Sequence, residues 1–171
     1  MSVTAPYDCF LESYLVRVEG AGRELQHALG AIKEVLDHFE PPPILEGRLK
    51  TPTSTYLKML RDGLDFDEVH DLLGIRVILP HESLCVPVLE SCQKRWPGRV
   101  HRVKDYINRP KPNGYQSLHA CIDLPAGPTF EIQIRTLAMH RAAISGAAAH
   151  SRYKWLSNSR FANLPSQVFA Q

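Results

Sequence analysis

Apolar residues recur at helical spacing through residues 8–39, which predicts one amphipathic helix or two consecutive ones. Asp8 is the expected N-cap, because its carboxylate could accept a hydrogen bond from the first helical turn. Gly20 and Gly22 lie in the middle of the pattern and favour a break there. Three prolines at 41–43 end the segment and turn the chain into an extended conformation.

Beyond this segment, runs with a period of two alternate with further helical patterns. The strongly apolar run Ile75–Leu79, ended by Pro80, predicts a buried strand in which Arg76 is the only charge. Residues 129–136 alternate cleanly and place Glu131, Gln133 and Arg135 on one face. The predicted strands are 44–50, 75–79, 99–108, 115–124 and 129–136, and the further helices are 51–61, 82–96 and 137–154.

A turn at residues 112–114, Pro-Asn-Gly, leads into the strand 115–124. The period of two places Leu118 and Ala120 toward a core. It places an aromatic ring, a hydroxyl and an imidazole on the opposite face, those of Tyr115, Ser117 and His119. Such a face, next to Lys111, suits a ligand with a π-face and negative oxygens, as in a nucleotide, although an ordinary amphipathic hairpin fits this stretch equally well.

Length and composition restrict the possibilities further. A chain of 171 residues with 44% hydrophobic and 22% charged residues is expected to form one globular domain. The net charge of +2 argues against a surface that coats nucleic acid, so any basic site must be local. The four cysteines show no CxxC or zinc-ligand spacing, and Cys85 and Cys92 are expected to be core thiols. With no apolar run of about 20 residues and no signal-peptide pattern, a cytoplasmic protein without membrane contact is expected.

The candidate chemistry lies on one side of the predicted sheet. Its cations are Arg48, Lys50, Lys58, Arg76, Lys104, Lys111 and His119, and its acids are Asp71 and Glu131. Many cations with two carboxylates are typical of Mg²⁺-dependent phosphoryl or pyrophosphoryl transfer. Two alternatives stay open: Asp71 is a magnesium ligand or the ion-pair partner of Arg76, and Glu131 is an ion-pair member or a general base and metal ligand. The pair His70-Asp71 has no companion His/Asp set, which argues against an HD-type phosphohydrolase.

Several motifs together resemble the synthetase domain of RelA/SpoT-type alarmone synthetases. They are Gly47-Arg-Leu-Lys50, Phe66-Asp-Glu-Val-His-Asp71, Ile75-Arg-Val77, Lys-Pro-Asn-Gly-Tyr-Gln-Ser-Leu-His at 111–119, Glu-Ile-Gln-Ile-Arg-Thr at 131–136 and Ala148-Ala-His150. The resemblance spans residues 44–154, preceded by an N-terminal helical segment, 1–43, that packs on this domain, and followed by a weakly structured tail, 155–171. It implies an α+β, nucleotidyltransferase-like fold with a mixed sheet flanked by helices.

The resemblance also implies a reaction: the β,γ-pyrophosphate of ATP moves to the 3′-hydroxyl of GDP or GTP, and AMP is released. Asp71 would bind Mg²⁺, and Glu131 would activate the 3′-hydroxyl or help to hold the metal. Arg48 and Arg76 would sandwich the adenine of ATP, and Tyr115 would stack on the acceptor base. The phosphates of ATP would be neutralised by Lys50 and Lys58, and the other acceptor-side residues would be Lys104, Lys111, Asn113, His119 and Gln133. The sequence Arg-Val-Lys-Asp at 102–105 matches the basic form of a family motif and implies a single magnesium ion.

The chain departs from the family pattern at three positions. Ile144 stands where the family usually has Glu, Ser151 where it has Trp, and Gly74 where Ala is common. The first two lie in the last predicted helix, so acceptor identity and regulation stay open. The alternative acceptor is an adenosine nucleotide or the 3′ end of tRNA. The alternative to an enzyme is a catalytically silent module that binds a nucleotide or RNA. A homo-oligomer is a further expectation.

Overall fold

The computed structural model describes residues 6–125 and 127–145. A five-stranded mixed sheet has the strand order β1-β2-β5-β4-β3, and only the pair β2–β5 is parallel. The elements are α1 (Tyr7–Val18), α2 (Ala21–Leu36), β1 (Ile44–Leu49), α3 (Pro52–Asp62), β2 (Leu73–Leu79), α4 (Cys85–Arg95), β3 (Val100–Asp105), β4 (Leu118–Asp123), β5 (Thr129–Thr136) and α5 (Leu137–Ser145). Two short 3₁₀ turns, Phe66–Glu68 and Glu82–Leu84, precede β2 and α4. The α+β class and the mixed sheet are as predicted.

The two N-terminal helices are separated by Gly20, whose φ of 81° is accessible to glycine at little cost. The predicted break is therefore confirmed. Asp8 lies inside the first turn of α1 and makes no cap, because the helix already begins at Tyr7 after Pro6. The predicted N-cap is wrong for that reason, although an acid in the first turn is still favourable to the helix dipole.

The main core lies between α2, α4 and one face of the sheet. On β5 the side chains of Phe130, Ile132 and Ile134 are fully buried on this face, as their alternation predicted. Cys85 and Cys92 are buried in the same core as free thiols, and burial raises the pKa of Cys92 to about 12. The opposite face of the sheet is therefore left for polar side chains.

A second, smaller core fixes α3 beside that polar face. It is built largely from aromatic rings of α1 and α3 and the turn before β2: Tyr7, Phe10, Tyr14, Tyr56, Met59, Phe66, Val69 and Leu72. The rings of Phe10 and Phe66 meet edge-on with centroids 5.3 Å apart. The Tyr14 hydroxyl donates a hydrogen bond to the carbonyl of Lys50, directly before α3 begins.

Strand β4 begins at Leu118, three residues later than predicted. Gly114 has a φ of 76°, and the amide of Tyr115 donates to Oδ1 of Asn113, so the turn extends past the predicted strand start. Ser117 is therefore not on the polar face with Tyr115 and His119. It is fully buried, and its hydroxyl donates to the carbonyl of Ile134 at 3.0 Å.

Two further predictions concern the ends of elements. Strand β3 ends at Asp105, because its carboxylate accepts hydrogen bonds from the amides of Ile107 and Asn108 and turns the chain. Helix α5 is described as far as Ser145. The rest of the predicted helix 137–154, with His150 and Ser151, and the predicted tail 155–171 lie outside the described residues. Within the described part of the chain, no helix is long and apolar enough to cross a bilayer.

Candidate active site

Two rows of side chains cross the polar face of the sheet. The register aligns Glu46, Arg76, Gln133, His119 and Lys104, one residue from each of the five strands. The neighbouring row aligns Arg48, Gly74, Glu131 and Cys121. Alternation within each strand and the register between strands thus gather half of the predicted site residues on one surface.

Gly74 leaves room for the side chain of Arg48. A Cβ atom at position 74 would lie 3.2 Å from both Cγ and Nε of Arg48. Ordinary van der Waals contacts of a Cβ atom are longer than this. A residue larger than glycine at position 74 would therefore displace the Arg48 side chain. The departure from the family pattern at Gly74 therefore coincides with the placement of a predicted ATP-binding arginine.

Asp71 precedes β2 and holds two ammonium groups. Its Oδ2 lies 3.0 Å from Nζ of Lys50, and its Oδ1 lies 2.9 Å from Nζ of Lys58. Burial would raise the pKa of Asp71, but the two lysines outweigh this effect and lower the pKa to about 2. Burial lowers the pKa of Lys50, against the opposite effect of Asp71. Asp71 is therefore ionised at neutral pH.

Arg76 has a different partner from the one considered in the sequence. Its Nη1 lies 3.2 Å from Oε2 of Glu46, the residue opposite on β1. The predicted alternative of an ion pair between Asp71 and Arg76 is therefore wrong. Arg76 contacts the residue opposite it on β1, whereas Asp71 lies before β2.

Glu131 lies at the centre of a hydrogen-bonded chain. Its Oε1 is 3.0 Å from Nδ1 of His119, and its Oε2 accepts a hydrogen bond from Nε2 of Gln133 at 2.6 Å. Burial would raise the pKa of Glu131, but His119 and Gln133 outweigh burial and lower it. A carboxylate can only accept, so Nδ1 of His119 carries the proton. The Tyr115 hydroxyl lies 2.8 Å from Nε2 of the same imidazole.

The loop before β4 adds a cation and a second aromatic ring. Nζ of Lys111 lies 4.4 Å from the ring centroid of Tyr106 and 5.0 Å from that of Tyr115. Burial lowers the pKa of Lys111, partly offset by Glu131. The side chain of Asn113 supports the turn, as its hydrogen bond to the Tyr115 amide shows. Sequence reasoning missed Tyr106; the available signal was a second tyrosine on the other side of the Pro-Asn-Gly turn.

The two acids share a cavity of about 60 Å³. Its lining residues are Lys58, His70, Asp71, Arg102, Lys104, His119, Ala120, Cys121 and Glu131. This volume suits a hydrated cation or a few water molecules, so a nucleotide would extend across the open sheet face. A larger cavity of about 670 Å³ lies between α1, α2 and the β4–β5 hairpin, and it shares only His70 with the smaller one. We assign the site to the smaller cavity because both carboxylates line it.

Arg102 and His70 also line this cavity but were not predicted as site residues. Arg102 has a φ of 53°, uncommon for a residue with a side chain, and lies where the pairing of β3 with β4 shifts register. Such a bulge has no clear signal in one sequence. His70 adjoins Asp71, and among the described residues no group of three or more His, Cys, Asp or Glu could hold a metal, as an HD-type site would require.

The donor set fits magnesium in the manner of nucleotide-transfer enzymes. Mg²⁺ is usually held by one or two carboxylates, with substrate phosphates and water as its other ligands. Asp71 and Glu131 supply two ionised carboxylates in one cavity. Both carboxylates are now hydrogen-bonded or ion-paired, so a metal would compete with Lys50 and Lys58 for the oxygens of Asp71.

Much of the chain is similar in sequence to known proteins. Residues 47–158 match the model of a family described as a region found in RelA / SpoT proteins. A probable chloroplastic GTP diphosphokinase of Oryza sativa is 46% identical over 110 residues, covering 64% of this chain and 15% of the relative. A probable GTP pyrophosphokinase of Mycobacterium leprae is 40% identical over 143 residues, covering 84% of this chain and 17% of the relative. The chain thus spans about a sixth of the length of these curated relatives.

Solved structures match over a much larger share of their own length. Small alarmone synthetase 1 of Bacillus subtilis, bound to its product pppGpp, has a TM-score of 0.61 and 28% sequence identity. The match covers 88% of this chain and 84% of that one. The fold described above is therefore similar to that of this small alarmone synthetase over most of both chains.

Proposed function

Because the chain belongs to the family of RelA/SpoT proteins, we propose that it transfers the β,γ-pyrophosphate of ATP to the 3′-hydroxyl of GDP or GTP and releases AMP. The observation that carries this proposal is the pair of ionised carboxylates, Asp71 and Glu131, in one cation-lined cavity. The names of the relatives support it, since both are given as GTP diphosphokinase or pyrophosphokinase. The similar B. subtilis enzyme binds pppGpp, the product of such a reaction on GTP.

The donor nucleotide would bind along β1 and β2. Arg48 and Arg76 carry planar guanidinium groups that can stack on adenine from two sides. Lys50 and Lys58 lie next to Asp71, where phosphate oxygens could replace the carboxylate as their partners. Mg²⁺ held by Asp71 and Glu131 would neutralise phosphate charge as it develops during transfer.

Glu131 would act as the general base toward the acceptor. Its carboxylate takes the proton of the 3′-hydroxyl while the 3′-oxygen forms a bond to the β-phosphorus. The bond from the β-phosphorus to the oxygen that bridges it to the α-phosphorus breaks, and AMP leaves with that oxygen. His119 holds Glu131 in place through Nδ1, and Tyr115 offers the acceptor base an aromatic surface. No covalent intermediate is needed, so alignment and charge neutralisation provide most of the catalysis.

A transfer assay tests the proposal. The purified chain is incubated with γ-³²P-ATP, Mg²⁺ and, separately, GDP, GTP, ADP and deacylated tRNA, and products are separated by thin-layer chromatography or gel. We expect label on GDP and GTP. Label on ADP or tRNA alone would keep the chemistry but replace the acceptor. No transfer to any acceptor, with nucleotide binding intact, would favour the silent binding module.

Replacing Glu131 by glutamine tests the general base. Glutamine keeps the size of the side chain and an oxygen that accepts from His119, but it cannot take a proton. We expect transfer to fall about 10²–10⁴-fold, while binding of GDP, measured by calorimetry, stays within about threefold. The matched control is Glu90→Gln at an exposed position of α4, which should behave as wild type. Joint loss of transfer and binding in Glu131→Gln would mean that Glu131 is structural.

Replacing Tyr115 by alanine tests the stacking surface. Loss of base–aromatic stacking should weaken acceptor binding by about 1–3 kcal/mol, or about 5- to 150-fold. Binding of a non-hydrolysable ATP analogue, measured on the same protein, should change little because the donor lies along β1 and β2. An unchanged acceptor affinity would remove Tyr115 from the acceptor site.

A further inference from the structure

Arg135 is a buried cation on the polar face of β5, two residues beyond Gln133. Its side chain is 2% exposed, and within the described residues its Nε has no hydrogen-bond partner. The acid that acts on it electrostatically, Glu46, is paired with Arg76. Burial lowers the pKa of Arg135, against the opposite effect of Tyr115. A buried charge without a carboxylate partner is costly, so the contacts that Arg135 does make have to be explained.

One of these contacts is with His140 on the first turns of α5. Nη2 of Arg135 lies 3.0 Å from Nδ1 of His140. A guanidinium group can only donate, so Nδ1 of His140 must be unprotonated and the imidazole neutral. The helix is anchored where it leaves β5, because Oγ1 of Thr136 accepts a hydrogen bond from the amide of Met139. The position of the acceptor nitrogen is therefore set by the junction of β5 with α5.

The other contact is with Tyr115. The guanidinium carbon of Arg135 lies 5.9 Å from the centroid of the Tyr115 ring, within the range of a cation–π interaction. The hydroxyl end of the same ring is held by His119 at 2.8 Å. Tyr115 thus has a contact that fixes its hydroxyl, and its ring lies close to two cations, Lys111 at 5.0 Å and Arg135 at 5.9 Å.

We propose that Arg135 and His140 are positioning residues, which hold the ring of Tyr115 in the orientation in which it stacks on the acceptor base. The inference rests on the proposed function, since it assumes that Tyr115 binds the acceptor. His140 orients the guanidinium group through Nδ1, and the guanidinium group orients the ring. Neither residue touches the reacting atoms.

Substitutions at His140 test this without removing the buried charge. His140→Ala deletes the acceptor, so Nη2 loses its partner and the guanidinium group is free to turn away from Tyr115. His140→Asn places Oδ1 three bonds from Cα, as Nδ1 is in histidine, and should restore the hydrogen bond. Arg141→Ala removes an exposed cation from the same helix and serves as the control.

The experiment measures GDP binding to the full chain by calorimetry, with Mg²⁺ at pH 8, beside thermal unfolding. Loss of a hydrogen bond to a charged group should weaken GDP binding of His140→Ala about 5- to 20-fold. His140→Asn and Arg141→Ala should stay within about threefold of wild type. Binding of a non-hydrolysable ATP analogue should be unchanged in all three variants.

The pH profile gives a second readout that a merely structural role would not move. Burial and Arg135 lower the pKa of His140, and Arg76 acts in the same direction against Glu46. The neutral ring that accepts from Arg135 therefore persists at pH 7–8, and it is lost when acid protonates Nδ1. From pH 8 to about pH 5, GDP affinity of wild type should fall more steeply than that of His140→Asn, whose amide does not titrate.

Equal GDP affinity in wild type and His140→Ala would overturn the inference. So would an equal weakening in the alanine and asparagine variants with parallel losses of thermal stability, since histidine would then be needed only for folding. The proposed function is judged separately: Tyr115→Ala must weaken GDP binding in the same assay. If Tyr115→Ala has no effect, the acceptor assignment fails first; if it weakens binding and His140→Ala does not, only the inference fails.

Discussion

Replacing Asp71 by asparagine should destabilise the protein, and the structure gives the size of the effect. Two ammonium groups lie 2.9–3.0 Å from the carboxylate, whose side chain is 12% exposed. They lower its pKa from 3.8 to about 2. That difference corresponds to about 2.4 kcal/mol of stabilisation at pH 7. Asparagine keeps the shape but leaves Lys50 and Lys58 without a counter-charge, so a loss of about 2–3 kcal/mol is expected.

The pH dependence of this loss identifies its cause. A carboxylate whose pKa is depressed in the folded state stabilises fully above its unfolded pKa, and the stabilisation is lost as pH falls through the folded pKa. For Asp71 the window runs from pH 3.8 down to about 2. The gap between wild type and Asp71→Asn should therefore be nearly constant from pH 7 to about pH 5, and about half of it should remain at pH 3.

Urea unfolding, followed by circular dichroism at pH 7, 5 and 3, measures this gap. Asp62→Asn is the control, because Asp62 forms a similar short ion pair with Arg61 at an exposed position. An exposed pair contributes less than about 1 kcal/mol. Equal stability of Asp71→Asn and wild type at pH 7, or a gap that does not shrink at pH 3, would refute the electrostatic account of Asp71.

The remaining predictions concern packing within the sheet. Gly74→Ala places a Cβ atom 3.2 Å from Cγ and Nε of Arg48, so the arginine side chain must shift. The KM for ATP should rise about 3- to 10-fold, and the KM for the acceptor should not change. An unchanged KM for ATP would contradict the role of Arg48. Ser117→Ala removes the buried hydroxyl that donates to Ile134 and should cost about 1 kcal/mol in urea unfolding. Ser91 on α4 donates an exposed hydrogen bond to the carbonyl of Pro87, so Ser91→Ala should cost almost nothing. Equal effects in the two serine variants would exclude the buried hydrogen bond as the cause.

Regular alternation was the most informative part of the sequence. Strand β5 has the predicted bounds, 129–136, because its apolar side chains all enter one core. The same period failed at Ser117, where turn geometry at Gly114 delays the strand and lets a polar side chain enter the core. Burial of Ser117 depends on its hydrogen bond to Ile134, a residue 17 positions away. A pattern within one strand cannot show such a partner.

Many of the residues that line the candidate site could be predicted from the sequence, but their pairing could not. Alternation and the family motifs identified Asp71, Glu131 and the surrounding cations. The ion pairs depend on the register between strands. Arg76 pairs with Glu46, which lies opposite it on β1, and Asp71 pairs with Lys50 and Lys58. The bulge at Arg102 and the burial of Arg135 arise from the same tertiary constraints.

These pairings have a consequence for the proposed reaction. The lysines that hold Asp71 ionised are also those proposed to bind the phosphates of ATP, so both roles draw on the same two ammonium groups. If phosphate oxygens and Mg²⁺ bound together, Lys50 and Lys58 would turn to the phosphates, and the Asp71 carboxylate would be left to hold the metal. Such an exchange replaces ion pairs within the protein by ion pairs with the substrate, and it would need little reorganisation of the site. A transfer reaction without a covalent intermediate requires such a preorganised site.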